Sequence, residues 1–172
     1  MDVVKGPDGI REEAFVRLVE EHQAMLMRMC YMMLKDTQQA EDAVQETFLK
    51  AYRAMGDFRG ESSAGHWLAT IAMNTCRDMR RSAWFRYVNR WITPEDLPPA
   101  SPPAGEDDLE LTARVMQLPP RLREAVILYY YQNMTMVEVA GALGLAQSTV
   151  TARIKRAREK LREALEGRKG DD

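Results

Sequence analysis

Apolar residues recur at helical spacing through most of the chain. Phe15, Leu18, Val19, Leu26, Met29, Cys30 and Met33 mark a helix from Ile10 to Leu34, and residues 1–10 read as a disordered lead-in. Asp36 or Thr37 caps a second helix running to about Met55, with Ala40, Ala43, Val44, Thr47, Phe48, Ala51 and Tyr52 on its apolar face; Gly56 ends it. After the polar loop DFRGESSAG (57–65), Ser62 or Ser63 caps a third helix over roughly Ala64 to Arg90, holding Trp67, Leu68, Ile71, Ala72, Thr75, Cys76 and Met79. Five of the eight prolines then fall between Pro94 and Pro103, where apolar periodicity is lost. Residues 93–108 are therefore a semi-rigid, extended linker between two helical domains. Beyond it, Leu109 to Leu118 forms one helix, and Pro119 or Pro120 opens another through about Tyr131.

The most informative stretch is TMVEVAGALGLAQSTVTARIKRAREKLREALE (135–166). Thr135 caps a short helix with Val139, Ala140 and Leu143 inward, and Gly144 supplies the left-handed residue that stops it. Ser148 is expected to cap a second helix, in which Val150, Ile154, Ala157, Leu161 and Leu165 form one buried stripe. The small Ala140 allows the two helices to cross closely. This spacing specifies a helix-turn-helix, whose second helix enters the DNA major groove by its N-terminal end.

Composition narrows the class. The chain has 172 residues, 45% of them hydrophobic, enough for one ordinary domain or two small ones. No apolar run approaches a membrane span, and the polar, acidic start has no signal peptide, so a cytoplasmic protein without membrane insertion is expected. Cys30 and Cys76 each sit in an apolar helical pattern and read as buried thiols. His22 and His66 have no partners at metal-ligand spacing, so neither a metal nor a cofactor is expected. A glycine-rich phosphate loop and a nucleophile motif are both missing, which argues against an enzyme and against a small-molecule substrate.

The net charge of −2 conceals an alternation. Residues 1–56 carry seven Lys/Arg and ten Asp/Glu; residues 57–93, six and three; residues 94–147, three and eight; residues 148–172, eight and five. The two basic segments are where a polyanion would dock. One ends in arginines interleaved with aromatics, Arg77 to Trp91, a pattern suited to a nucleic-acid strand. Neither domain is strongly basic, so few phosphate contacts and weak affinity for free DNA are expected.

The order of these features resembles the extracytoplasmic-function (ECF) sigma factors of bacterial RNA polymerase. AEDAVQETFLKAYRAMGDFRG (40–60) with WLATIAMNTCRDMRR (67–81) is similar to the family's region two, and 118–161 to its region four. The resemblance implies an all-α chain of two small helical domains joined by a proline-rich flexible linker. A region-two domain (11–92) would bind core polymerase and recognise and melt the −10 element. A region-four helix-turn-helix domain (109–167) would read the −35 element, followed by a short tail (168–172). It implies that Asp42, Gln45, Glu46, Phe48 and Leu49 lie in the helix docking on the clamp coiled coil of the polymerase's largest subunit. It implies that Phe58, Arg59 and Asn74 act at the −10 element. Ser62 and Ser63 could bond a captured base there, and Arg77, Arg80 and Arg81 are placed for phosphates. Ser148, Thr149, Thr151, Arg153, Lys155, Arg156 and Arg158 would face the −35 duplex. Thr151 stands where many members carry lysine or arginine, and it cannot make a bidentate guanine contact. The implied partners are core polymerase, promoter DNA and an anti-sigma factor, with the linker running through the polymerase's RNA-exit path. The alternative is a stand-alone helix-turn-helix regulator, which leaves the DAVQETFLKAY helix without a role.

Overall fold

The computed structural model describes residues 7–58, 60, 63–81 and 106–167, all helix or short connection. The first unit is three helices: α1 (Pro7–Leu34), α2 (Thr37–Ala54) and α3 (Ala64–Arg81), with a 3-10 turn at Met55–Asp57. They pack pairwise around Leu26, Met29, Met33, Ala40, Ala43, Leu68, Ala72 and Met73, all buried. α1 begins at Pro7, three residues before the expected start, because proline suits the first helical position, where its missing N–H costs nothing. Asp36, not Thr37, caps α2 by accepting from the Gln39 amide at 2.9 Å. Ser63 starts α3: its hydroxyl accepts from the His66 amide at 3.1 Å, whereas Ser62 lies outside the described residues. Tyr52, expected to be buried, is 37% exposed. Its ring sits at the rim of α2, edge-on to Phe15 and under Arg11.

The second unit is α4 (Glu106–Gln117), α5 (Pro120–Val126), a π-helical segment (Ile127–Tyr131), α6 (Met136–Leu143) and α7 (Gln147–Glu166). α4 takes up the last three residues assigned to the linker; 93–105 lie outside the described residues, as do the later part of the expected third helix and the tail from 168. The π segment was not foreseen. Its wide turn, closed by Gln132 N–H to Ile127 C=O at 3.1 Å, splays three consecutive tyrosines. Tyr131 reaches the Thr112 hydroxyl at 3.2 Å, while Tyr130 turns outward towards Arg158.

α6 and α7 form the helix-turn-helix. Thr135 and Glu138 make a reciprocal capping box: Thr135 N–H donates to Glu138 Oε2 at 2.7 Å, and Glu138 N–H to Thr135 Oγ1 at 3.2 Å. Gly144 ends α6 at φ 66°. Ser148 is not the cap of α7. The helix opens from Ala146, whose carbonyl accepts from Thr149 and Val150, so Ser148 lies in the first turn. The turn geometry is set by Gly144 and the half-buried Leu145, and no side-chain cap is required there. Val150, Ile154 and Ala157 are buried as the stripe predicts; Leu161 is partly covered, and Leu165 emerges at the surface. Cys30 and Cys76 are buried free thiols. A hydrogen bond between them, together with burial, holds the Cys30 thiol well above its usual pKa.

Three tests follow from local chemistry. Thr135→Ala removes a cap from the helix-turn-helix and is expected to lower stability by about 1 kcal/mol in urea denaturation. The Thr135 amide holds the Glu138 carboxylate below its ordinary pKa. A depressed folded pKa means that this contribution is complete above the unfolded carboxylate pKa and is lost as pH falls through the lowered one. The stability gap between the chain and its Glu138→Gln variant should therefore close as pH falls below the ordinary carboxylate range. Lys35 follows α1 in the left-handed region at φ 58°. Burial and the nearby Arg123 and Arg80 charges depress its pKa. Lys35→Gly relieves both strains and should raise stability by about 1 kcal/mol in the same assay.

Candidate nucleic-acid interface

Three faces carry the residues singled out in the sequence. On α2, Asp42, Gln45, Glu46 and Leu49 are exposed, Leu49 by 52%. Phe48 differs: it is buried at the edge of the core and meets Phe15 edge-on at 6.2 Å. Between α1 and α2 runs a largely apolar groove of about 690 Å³, lined by Phe15, Val19, Val44, Gln45, Phe48, Leu49 and Tyr52. An apolar trough with one carboxylate, Glu12, in its lining and the exposed Asp42 and Glu46 on the same helix as Leu49 is the form that a helical partner fits, with packing for affinity and charges for register.

Around α3, Phe58 stacks on Trp67 at a centroid distance of 4.7 Å and a 31° tilt, so the loop aromatic is fixed by a half-buried indole. Asn74 and Ser63 are exposed, and Arg81 lies 3.8 Å from Asp78 on the helix surface. Arg59 lies outside the described residues. Burial depresses the Arg80 pKa, partly offset by the Glu124 carboxylate. Arg77 is not on the outer face: its Nε lies 3.4 Å from Glu124 and its Nη1 donates to Leu143 C=O at 3.1 Å, both in the second unit.

On α7, Ser148, Thr149, Thr151, Lys155, Arg156 and Arg158 are exposed. The Thr151 hydroxyl donates to Gln147 C=O at 3.0 Å on the exposed side of the helix. Arg158 lies against the Tyr130 ring, with its Nε hydrogen-bonded to the phenol oxygen. Arg153 is turned inward, its Nη1 3.0 Å from Glu124 Oε1. In this arrangement it faces α5 rather than solvent, because it sits one residue from Ile154 on the edge of the buried stripe.

Sequence reasoning missed the partner that gathers these arginines. Glu124 in α5 is 3% exposed at its side chain and carries Arg153 on one oxygen and Arg77 on the other. Its neighbour Arg123, also buried, donates to Met116 C=O at 2.6 Å and to Met33 C=O at 3.0 Å, and desolvation lowers its pKa to about 10. The Arg123 guanidinium still carries its charge at neutral pH. His66 at the start of α3 adds a further cross-link: Nε2 is 2.8 Å from Gln132 C=O and Nδ1 3.6 Å from Glu138. A Glu beside an Arg in the short helix PRLREAV was the available signal, but nothing local indicates which distant residues they meet. Groups of three or more His, Cys, Asp or Glu that could hold a metal do not occur among the described residues, and none of their helices is long and apolar enough to cross a membrane.

Comparison with known proteins places the chain. Residues 18–86 match the family Sigma-70 region 2, and residues 108–161 match Sigma-70, region 4. The RNA polymerase sigma-H factor of Pseudomonas aeruginosa is 32% identical, over 90% of this chain and 88% of its own. The ECF RNA polymerase sigma factor SigL of Mycobacterium tuberculosis is 36% identical, over 90% and 91%. Among solved structures, CnrH in complex with the cytosolic domain of CnrY aligns with a TM-score of 0.66 at 27% identity, covering 91% of this chain and 90% of that one. The sigma factor RpoE of Bartonella quintana, solved with the anti-sigma factor NepR, shares the fold with a TM-score of 0.68 at 24% identity, over 90% of this chain and 96% of that one. Both halves, in this order and at this coverage, show that the chain belongs to the ECF sigma factors of RNA polymerase.

Proposed function

We infer that this protein is an alternative sigma factor that binds core RNA polymerase and directs it to promoters bearing −10 and −35 elements. The observation that carries this reading is the coexistence of two exposed chemistries on one chain. One is the apolar groove between α1 and α2, with the exposed Asp42, Gln45, Glu46 and Leu49 on α2; the other is the basic outer face of the helix-turn-helix. A stand-alone regulator needs only the second.

The assignments by residue follow from that reading. Leu49, Gln45, Asp42 and Glu46 meet the clamp coiled coil of the largest polymerase subunit, and Phe48 supports them from beneath. Phe58, Ser63 and Asn74 serve an unstacked −10 base, with Arg59 and Ser62 in the same loop and Arg80 and Arg81 on phosphates. Ser148, Thr149, Thr151, Lys155, Arg156 and Arg158 meet the −35 duplex, Thr151 by a single hydrogen bond or a thymine methyl contact. The domain division is 11–92 and about 106–167. An anti-sigma factor is the expected inhibitor, supported by relatives solved with such partners, and the site of action is wherever polymerase works on DNA. The organic chemistry belongs to the polymerase; the sigma factor supplies binding and orientation.

Leu49→Asp is expected to leave thermal stability unchanged, because the residue is already solvated, and to weaken binding to core polymerase at least tenfold in a pull-down titration. Transcription by core polymerase on fragmented DNA from the source organism, with RNA 5′ ends sequenced, should show discrete new starts sharing two upstream motifs. Thr151→Arg should alter the −35 motif and leave the −10 motif as it was. No new starts together with no core binding would overturn the reading.

A further inference from the structure

Apart from the seam where Arg77 and Arg123 join the two units, the second unit carries a cavity of about 790 Å³ between α4, the π segment and the last turns of α7. Val115 and Val126 line it from the core, and Leu161 is partly covered beside them. Leu111, Tyr130 and Leu165 also line it, and all three are exposed. Exposed large apolar residues are ordinarily scattered singly; three gathered on one concave surface mark a place where something apolar docks.

The π segment shapes this cavity. In an α-helix consecutive side chains leave the axis about 100° apart and face different neighbours. The wider turn closed by Gln132 N–H to Ile127 C=O narrows that angle, and the consecutive Tyr130 and Tyr131 both line the cavity. Such turns are rare and recur at functional sites.

The polar groups decide what fits. Arg28 comes from α1, and Arg158 and Arg162 come from successive turns of α7; among the described lining residues Glu166 is the one carboxylate. Arg158 is held in place, with its Nε donating to the Tyr130 phenol oxygen and its guanidinium 5.5 Å from the ring centre. That bond leaves the Nη side of the fork for an oxyanion, and much of the side-chain freedom is lost before any ligand arrives. The Thr112 and Tyr131 hydroxyls, 3.2 Å apart, add a neutral polar point. The α1/α2 groove differs, because no Lys or Arg is in its described lining. An apolar body with a few placed polar groups, at this volume, is the form of a small-molecule site.

We propose that this cavity binds a small amphipathic anion, a molecule with an apolar body and one carboxylate head. The body lies against Leu111, Val115 and Leu165, and the head meets the guanidiniums of Arg28 and Arg158. The site itself is independent of the sigma-factor reading. Its consequence rests on that reading: Arg158 also belongs to the −35 face, so a carboxylate held there takes a cation away from DNA phosphate.

The test is calorimetric titration of the full-length chain with monomeric decanoate, beside decyltrimethylammonium and 1-decanol as cationic and neutral counterparts. Decanoate is expected to bind as a single equivalent, with methyl NMR shifts confined to Leu111, Val115, Val126, Leu161 and Leu165. Decyltrimethylammonium should bind at least about tenfold more weakly, as the loss of a charge-assisted hydrogen bond requires. Arg28→Gln should weaken decanoate about tenfold and leave decanol unchanged. Leu111→Asp, at an exposed position, should weaken decanoate as well, whereas Val137→Asp, at an exposed apolar residue outside the cavity, should not. If Leu111→Asp loses helix content, Arg28→Gln decides. Equal binding of the three amphiphiles, or methyl shifts spread over both units, is nonspecific adsorption and overturns the site. Capture by phosphatidylglycerol vesicles without uptake of monomeric decanoate overturns it in favour of a membrane surface. Sedimentation that rises with protein concentration and excludes decanoate overturns it in favour of a second copy of the chain. A chain that takes up decanoate as expected but never binds core polymerase keeps the site and loses the −35 consequence. One that initiates transcription and ignores decanoate keeps the sigma reading and loses the site.

Discussion

Helices that end inside a protein leave carbonyl oxygens that water cannot reach, and the arrangement of this chain depends on how those oxygens are met. α1 does not bury a single stripe: Met29, Cys30, Tyr31, Met32, Met33 and Leu34 are consecutive and all buried. A helix end covered on every side needs neighbours on every side. α2 and α3 supply one flank, α4 and α5 the other. The apolar contact alone would strand the Met33 carbonyl, so Arg123 is drawn into the seam and bears its desolvation there. The Arg77 donation to Leu143 is the reciprocal case. Removing a partner from such a set leaves a charge uncompensated, which is why seams of this kind tend to be all closed or all open.

What was legible in the sequence is what local chemistry decides. Asp36 and Thr135 cap because a short oxygen-bearing side chain at the first turn meets an otherwise unpaired amide. Gly144 stops α6 because its backbone reaches the left-handed region without strain. The stripe Val150, Ile154 and Ala157 followed from period alone. The residues that escaped are those fixed by long-range packing. Glu124 meets Arg153 across 29 positions of sequence, and no pattern in either helix announces it. Ser148 looked like a cap, but Gly144 and Leu145 had already set the turn. The π segment, with Tyr131 turned to Thr112 of α4 and Tyr130 to Arg158 of α7, is tied to contacts that only the assembled unit makes.

The recognition helix illustrates how a single element divides its charges. Lys155 and Arg156 face outward, Arg158 is steadied by an aromatic ring, and Arg153 is enclosed. Equal charges in a sequence are thus unequal in the fold: their availability to a polyanion is graded by the angle at which each leaves the helix.

The thiol pair between α1 and α3 gives this protein an internal clock. Cys30 and Cys76 are fully enclosed, and the Cys30 thiolate is disfavoured by its setting. A thiol reagent must wait for the first three helices to part before it can react with either sulfur. The rate of labelling thus counts the opening of the packing around that thiol pair, with the native sequence and without an added probe.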